Sequence, residues 1–322
     1  FLQLSDITLS DLETAAATIY QHISPTPQIS WPLLNERCAC EVWVKHENHL
    51  PTGAFKVRGG IWYVENLHKD KPDIDTVITA TRGNHGQSVA FATQKKGIRA
   101  IVVVPFGNNP DKNRAMTAYG AELIEYGEDF NEAADHARQL AEERGLHMFP
   151  SIHPHLVQGV GSYSLELLNA APSLDTVYVP VGMGSGICGM IAARNALGLE
   201  TKIVGVVAEN APTYALSFEE KKPVSTDSAN TLADGLAVRI PDSSALEYML
   251  SNVERMITVS EEDILAAIHH FFNDTHNVAE GAGASQLAGL LKEKESQQGK
   301  KVGIILSGGN IAQSLFERAL KY

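Results

Sequence analysis

Short apolar runs rich in valine and isoleucine alternate with helical patterns along almost the whole chain, and this order restricts the possible folds. The runs that predict strands are residues 41–46, 75–80, 100–104, 122–126, 176–181, 203–208 and 301–306. Most of them lack a strict apolar–polar alternation, so the strands are expected to be covered on both faces. Alternating strands and helices predict an α/β fold, with parallel sheets flanked by helices.

Helical patterns separate the predicted strands, for example at residues 84–96, 131–143 and 261–273. Ser260 is followed directly by three acidic residues, which marks a helix start especially clearly. A serine at the N-cap accepts a hydrogen bond from the first turn, and acids there interact favourably with the helix dipole. We therefore expect a helix that begins just after Ser260.

Composition argues against several classes of protein. The 322 residues carry a net charge of −12, with acids and bases interspersed, which argues against a nucleic-acid surface. No run approaches the ~20 apolar residues of a membrane-spanning helix, and the N-terminus lacks the pattern of a secretory signal. An odd and low number of cysteines, three, is typical of a reducing compartment, so we expect a cytoplasmic protein.

Lys56 stands between an apolar run and a predicted helix, inside the segment PTGAFKVRGG at residues 51–60. A lysine is a poor choice for such a half-buried junction unless its amine does chemistry. A desolvated amine near other cations loses its proton more easily, and the free amine can form a Schiff base. The alternative is a surface lysine in the first turn of a helix.

A polar loop, which we name the Asn84 loop, follows the predicted strand at residues 75–80 and precedes a predicted helix. It consists of Thr81, Arg82, Gly83, Asn84 and His85. Backbone N–H groups at a helix N-terminus suit a carboxylate, so this loop is a candidate for binding one. The alternative is a simple helix cap.

The predicted strand at residues 176–181 runs into a second loop, which we name the glycine loop. It consists of Gly182, Met183, Gly184, Ser185 and Gly186. Glycine lets the backbone approach a phosphate, and the following helix contributes the positive end of its dipole. Residues 184–189 also fit the G-x-G-x-x-G pattern, with Glu209 after the next strand. An NAD-dependent dehydrogenase is therefore an alternative.

Four motifs in this order resemble the fold type II pyridoxal-phosphate (PLP) enzymes of the tryptophan synthase β superfamily, and within it the threonine/serine dehydratase and serine racemase branch. They are the Lys56 segment, the Asn84 loop, the glycine loop and SGGN at residues 307–310. EGAGA at residues 280–284 and ADG at residues 233–235 are similar to shorter motifs of the family. The resemblance covers nearly the whole chain.

The resemblance implies a role for each matching residue. Lys56 holds PLP as a Schiff base and removes the α-proton, while the glycine loop binds the phosphate. The Asn84 loop binds the substrate carboxylate, and Asn84 itself contacts the ring oxygen of PLP. Glu280 lies near the ring, and Ser307 bonds its nitrogen. A neutral hydroxyl at that nitrogen makes the ring a weaker electron sink than a carboxylate would, which favours β-elimination over transamination.

The same resemblance implies an organisation for the chain. We expect a two-domain α/β enzyme, with twisted, mainly parallel sheets flanked by helices. Residues 1–75 and 151–322 form the large PLP-binding domain, and residues 76–150 form the small domain that binds the substrate carboxylate. The expected partners are a small amino-acid substrate and a second copy in a homodimer, with no nucleic acid and no membrane.

Together, these motifs and the resemblance predict a PLP-dependent dehydratase, or ammonia-lyase, that eliminates water from a 3-hydroxy amino acid. L-Threonine and L-serine are the first substrates to expect, and the products are a 2-keto acid and ammonia. A first alternative is a dehydratase of 3-hydroxyaspartate or another bulky 3-hydroxy amino acid. Two more are an enzyme of β-replacement, as in cysteine synthase, and a protein that binds amino acids without turnover.

Arg82 departs from the family pattern. Serine racemase has at this place a serine that serves as second proton donor, and an always protonated arginine cannot act as that base. Arg82 either pairs with an acid away from the substrate or binds a carboxylate on the substrate side chain, which favours a 3-hydroxyaspartate-like substrate. Glu209 matches one ligand of a cation that some relatives bind. The expected partner acid is missing from residues 211–215, so no metal is predicted.

Overall fold

The structure, a computed structural model, describes residues 2–322. The strands among them are β1 (Gln28–Ser30), β2 (Glu41–His46), β3 (Thr76–Ala80), β4 (Arg99–Val104), β5 (Glu122–Glu125), β6 (His147–Met148), β7 (Thr176–Pro180), β8 (Lys202–Ala208), β9 (Arg255–Val259) and β10 (Lys301–Leu306). The α-helices are α1 (Leu9–Ile19), α2 (Pro32–Cys38), α3 (Lys56–Asp70), α4 (Asn84–Gln94), α5 (Pro110–Ala118), α6 (Phe130–Arg144), α7 (Pro154–Ala170), α8 (Ser185–Ala196), α9 (Thr213–Glu220), α10 (Ser243–Asn252), α11 (Glu261–Thr275), α12 (Gly281–Lys292), α13 (Lys294–Gln297) and α14 (Gln313–Ala319). Within residues 2–322, every helix is too short or too polar to span a lipid bilayer.

Six strands form the larger sheet in the order β1-β2-β10-β7-β8-β9. All neighbours in it are parallel except β1 and β2. Both faces are buried, because alternate residues of a strand enter different cores. Val177 and Val179 pack with α7 and α8, whereas Tyr178 packs on the other side with α11 and α12. The predicted α/β architecture with strands covered on both faces is confirmed.

The smaller sheet has four parallel strands in the order β5-β4-β3-β6. All of them come from the chain between β2 and β7. The two central strands, β3 and β4, are buried, whereas the edge strand β5 is half-exposed because one side has no neighbour. This sheet lies within the predicted small domain, and the boundaries at residues 76–150 stay a prediction.

Three strands lie outside the predicted set. β1 and β6 are three and two residues long, too short to give a pattern. β9 is a partly exposed edge strand that pairs only with β8. Such segments become strands because a neighbour offers backbone partners, and the local sequence does not show this. The predicted helix start at Ser260 is confirmed, since its Oγ accepts a hydrogen bond from the Asp263 N–H at 3.0 Å.

A largely buried ionic network fixes the beginning of α3. Arg58 Nε lies 2.7 Å from Glu47 Oε2, and Arg58 Nη2 donates to Glu166 Oε1 at 2.9 Å. Lys45 Nζ also contacts Glu166 Oε1, at 2.8 Å. Burial by itself would raise the pKa of Glu166, but hydrogen bonds and charge from Arg58 and Lys45 lower it to about 2. These four residues, the Arg58 cluster, connect α3 to the end of β2 and to α7.

We expect the Arg58→Met substitution to lower the free energy of unfolding by about 3–5 kcal/mol, because two buried carboxylates lose their main counter-ion. Urea unfolding followed by tryptophan fluorescence measures this. Arg99→Met is the matched control, since Arg99 pairs with Glu122 at 3.1 Å and both side chains are more than half exposed. The control substitution should lower the free energy of unfolding by less than about 1 kcal/mol. Equal losses of unfolding free energy in the two variants would contradict the stabilising role of the Arg58 cluster.

Candidate active site

One cavity is lined by residues from both sheets. It receives the loops after β3, β7 and β10, because the carboxyl ends of parallel strands are where ligands bind in open α/β sheets. The space between its lining atoms is about 890 Å³, part of it open to solvent. Every predicted site residue lines it, namely Lys56, Thr81, Arg82, Gly83, Asn84, His85, Gly182, Met183, Gly184, Ser185, Gly186, Glu280 and Ser307.

Lys56 is the first residue of α3 and is partly buried at the cavity wall. Its Nζ lies 3.5 Å from Ser185 Oγ, so the amine faces the glycine loop. The Ser88 hydroxyl donates to the Lys56 carbonyl at 2.8 Å, and the Phe55 N–H donates to the Ser307 carbonyl at 3.0 Å. Desolvation lowers the pKa of Lys56 to about 8. The amine is therefore easier to deprotonate, although no neighbouring cation contributes, contrary to the expectation.

The lowered pKa of Lys56 predicts an unusual reactivity in cofactor-free protein. A neutral amine is the nucleophile, so acylation of Lys56 should reach half its maximal rate near pH 8. A lysine in an unstructured peptide should require about pH 10.4. Rates from peptide mapping by mass spectrometry at increasing pH measure the difference. A Lys56 profile that coincides with the peptide profile would refute the desolvated site.

The glycine loop leads into α8 with a special backbone. Gly184 has φ +109°, and as the N-cap of α8 it offers no side chain to the first helical N–H groups. Those donors are available to ligand oxygens, as a phosphate requires. The Tyr214 hydroxyl donates to the Met183 carbonyl at 2.8 Å and holds the loop in place. A Cβ at Gly184 would lie 2.8 Å from Met249 Cε and 3.2 Å from Ala245 Cβ, and φ +109° is strained for any side chain, so alanine would disturb the path of the loop.

We expect Gly184→Ala to raise the Kd for PLP by about tenfold or more, because the added methyl group displaces the loop. Gly198→Ala is the control, since Gly198 also has a positive φ, +64°, but nothing lies within 4 Å of its Cβ position. Both changes carry backbone strain of about 1–2 kcal/mol. Spectroscopic titration of cofactor-free protein with PLP gives the Kd. The prediction is wrong if both variants bind PLP equally well.

Asn84 and Glu280 form a hydrogen-bonded group with Asn310 at the cavity wall. Asn84 Nδ2 donates to Glu280 Oε1 at 2.6 Å, and Asn310 Nδ2 donates to Asn84 Oδ1 at 2.9 Å. The Asn310 N–H donates to Glu280 Oε2 at 2.9 Å. Burial raises the pKa of Glu280, and Lys112 and Asn84 offset part of that effect. This group orients the Asn84 amide. Asn310 belongs to the SGGN motif, but the sequence analysis assigned it no role.

Thr81 and His85 shape the Asn84 loop from within. Thr81 Oγ1 accepts a hydrogen bond from the Gly83 N–H at 3.0 Å, and His85 Nε2 lies 3.2 Å from Thr79 Oγ1. Burial, with a smaller effect from the charge of Lys56, lowers the pKa of His85 to about 3. The imidazole is therefore neutral at physiological pH, and it supports the loop without adding charge to the cavity.

Arg82 pairs with an acid, yet it stays at the cavity wall. Its Nη2 lies 3.3 Å from Asp234 Oδ1, and Lys112 Nζ lies 3.3 Å from Asp234 Oδ2. The two interpretations left open by the sequence therefore do not exclude each other, since Arg82 has an acidic partner and also faces the ligand space. The sequence analysis missed Lys112, because it lies in α5, away from every motif.

The sequence features that suggested a dinucleotide site or a metal site do not form such a site among residues 2–322. Gly189, the last glycine of the dinucleotide pattern, serves helix packing, because its Cβ position lies 2.9 Å from the backbone nitrogen of Gly161 in α7. Within residues 2–322, no group of three or more His, Cys, Asp or Glu side chains is arranged to hold a metal ion.

Comparisons with known proteins agree with this cavity. The family model described as pyridoxal-phosphate dependent enzyme matches residues 19–308. The chain belongs to this family. The L-threonine ammonia-lyase of Thermotoga maritima is 35% identical, over 98% of this chain and 78% of its own. The L-threo-3-hydroxyaspartate ammonia-lyase of Saccharomyces cerevisiae is 32% identical, over 94% of this chain and 93% of its own. The crystal structure of a pyridoxal 5′-phosphate-dependent aspartate racemase superposes with a TM-score of 0.90 at 28% identity, covering 96% of this chain and 97% of its own.

The family membership confirms the resemblance found in the sequence and the expected cofactor, PLP. The residues present fit that cofactor. A desolvated lysine amine suits its aldehyde, the uncapped start of α8 suits its phosphate, and the buried hydroxyl of Ser307 lies at the end of β10 in the same cavity. The alternative of a nicotinamide dehydrogenase has no support left.

Proposed function

We propose that the protein is a PLP-dependent ammonia-lyase that removes water from a 3-hydroxy amino acid, L-threonine or L-serine, and releases a 2-keto acid and ammonia. One observation carries the proposal: a desolvated amine, Lys56, shares a cavity with a neutral hydroxyl, Ser307, which would serve as the partner of the cofactor's ring nitrogen. The identity to relatives named L-threonine ammonia-lyase supports it.

PLP, when bound, supplies an electron sink that stabilises negative charge at the substrate Cα. Lys56 would hold the cofactor and act as general base toward the proton on Cα. A base works best when its pKa lies near the working pH, and desolvation brings the pKa of Lys56 to about 8. A lysine in water, with a pKa of about 10.4, would be protonated nearly all the time at pH 7.

The remaining residues bind and orient. The glycine loop and the first turn of α8 would take the phosphate, and the Asn84 loop with the first turn of α4 would take the substrate carboxylate. Fixing these two groups would orient the Cα–H bond relative to Lys56. Ser307 offers a hydroxyl in place of an acid, so the bound cofactor would be a weaker electron sink, which would favour loss of the Cβ leaving group. Arg82 cannot serve as a second base, which argues against racemisation.

A second candidate is a 3-hydroxyaspartate ammonia-lyase. Arg82 and Lys112 both line the cavity, and an arginine fork is well suited to a carboxylate on the substrate side chain. A relative with 32% identity is named L-threo-3-hydroxyaspartate ammonia-lyase. We also propose that the protein forms a homodimer, as the sequence led us to expect.

Purified holoenzyme should release a 2-keto acid and ammonia from L-threonine or L-serine. The panel of test substrates also contains D-serine and the 3-hydroxyaspartate isomers. Keto acid and ammonia are quantified separately for each substrate. The Lys56→Ala variant should lose the visible absorbance of the bound cofactor and at least about 10²–10⁴-fold of turnover, because it lacks both the attachment point and the base. Lys96→Ala is the control, since Lys96 pairs with Glu65 at 2.8 Å and does not line the cavity.

Each result has a definite meaning. Turnover confined to 3-hydroxyaspartate selects the second candidate. A coloured protein that is inert toward the whole panel contradicts both candidates but keeps the cofactor. Undiminished turnover by Lys56→Ala would refute the role of Lys56.

A further inference from the structure

A single carboxylate, Asp234, lies between two cations at the wall of the active-site cavity. Arg82 Nη2 and Lys112 Nζ each lie 3.3 Å from one of its two oxygens. All three side chains line the cavity, and that of Lys112 is only 8% exposed. This part of the wall therefore carries two positive charges and one negative charge, next to the loop proposed for the substrate carboxylate.

The three residues come from different parts of the fold. Arg82 belongs to the Asn84 loop after β3, and Lys112 belongs to α5, so both accompany the smaller sheet. Asp234 begins the 3-10 turn Asp234–Leu236, which packs against α12 beside the larger sheet. Among the described residues, the Asp234 carboxylate forms ion pairs and hydrogen bonds only with these two cations, so its role is electrostatic rather than one of capping or bracing a helix.

Arg82 retains capacity for another anion. Its contact with Asp234 is long for a charged hydrogen bond, so this partner engages the guanidinium only weakly. The side chain is 34% exposed and faces the ligand space. A guanidinium in this state can bind a carboxylate on a ligand, but that carboxylate would be repelled by Asp234.

We propose that Asp234 is a specificity-determining residue, whose charge sets the balance between neutral and anionic substrate side chains. Asp234 neutralises part of the charge of Arg82 and Lys112, so a threonine or serine side chain meets a wall where the three residues leave one net positive charge instead of two. A second carboxylate on the substrate must compete with Asp234 for the same two cations. The inference rests on the proposed function only for the class of substrate, an amino acid held by its α-carboxylate.

The test compares two ligands that do not react, malonate with two carboxylates and propionate with one. Their Kd values for the holoenzyme are measured by isothermal titration calorimetry. Asp234→Asn keeps the shape of the side chain and removes its charge. We expect the preference for malonate over propionate to rise roughly tenfold in this variant and to shrink at high salt. Adding Arg82→Gln to Asp234→Asn should abolish most of the gain.

Asp129→Asn is the matched control. Asp129 makes another ion pair, with Arg239 at 2.8 Å, and does not line the active-site cavity. It also caps α6 by accepting a hydrogen bond from the Glu132 N–H at 2.9 Å, and asparagine preserves such a cap. Asp129→Asn therefore removes the same charge as Asp234→Asn, but at a position that does not line the active-site cavity. We expect the malonate preference to stay at the wild-type value.

Arg82→Gln alone keeps the test independent of how well Asp234→Asn folds, and it should lower the malonate preference below the wild-type value. An unchanged preference in Asp234→Asn or in Arg82→Gln overturns the proposal, and so does an equal rise in Asp129→Asn. Turnover is measured separately, and kcat/KM should shift from L-threonine toward 3-hydroxyaspartate in Asp234→Asn. If the wild-type enzyme turns over no 3-hydroxy amino acid, the proposed function fails, while the malonate and propionate affinities still decide the role of Asp234.

Discussion

The buried ion pairs of Arg58 are the constraint on which the position of Lys56, the proposed catalytic lysine, depends. Arg58 lies two residues after Lys56 in the same helix and holds Glu47, after β2, and Glu166, in α7. Buried charges cannot give up their partners without a large cost, so α3, β2 and α7 keep one arrangement. α7 in turn packs closely on α8 through Gly161 and Gly189, which sets the glycine loop against the amine. Lys56 and the proposed phosphate site are thus positioned by one connected set of contacts.

The cavity that these contacts position combines groups that are uncharged or easily made neutral with groups that carry a charge. The Lys56 amine is desolvated and easily made neutral, and the Ser307 hydroxyl is buried and uncharged. The charged groups lie at a different part of the wall, where Arg82 and Lys112 share Asp234. This separation fits a reaction in which a neutral base must work close to a ligand that carries a carboxylate and a phosphate.

The two sheets divide the work of binding. Loops from the six-stranded sheet supply Lys56, the glycine loop and Ser307, which are the groups proposed for the cofactor. The four-stranded sheet supplies the Asn84 loop, proposed for the substrate, and the neighbouring Lys112. Contacts between the two parts, such as Asn84 with Glu280, close the cavity and orient groups from both sides. Under the proposed function, substrate choice is therefore determined where the two sheets face each other.

The sequence by itself determined the α/β class, the principal strands, the helix start at Ser260 and the motif residues that line the cavity. These follow from local patterns: buried strands are uniformly apolar, helix starts carry caps, and ligand loops follow strands. Only the tertiary structure decided that β9 is a strand, that Asn84 bonds Glu280 and that Lys112 joins Arg82 at Asp234. Each of these depends on residues far apart in the chain, and no local pattern records which distant side chains folding brings into contact.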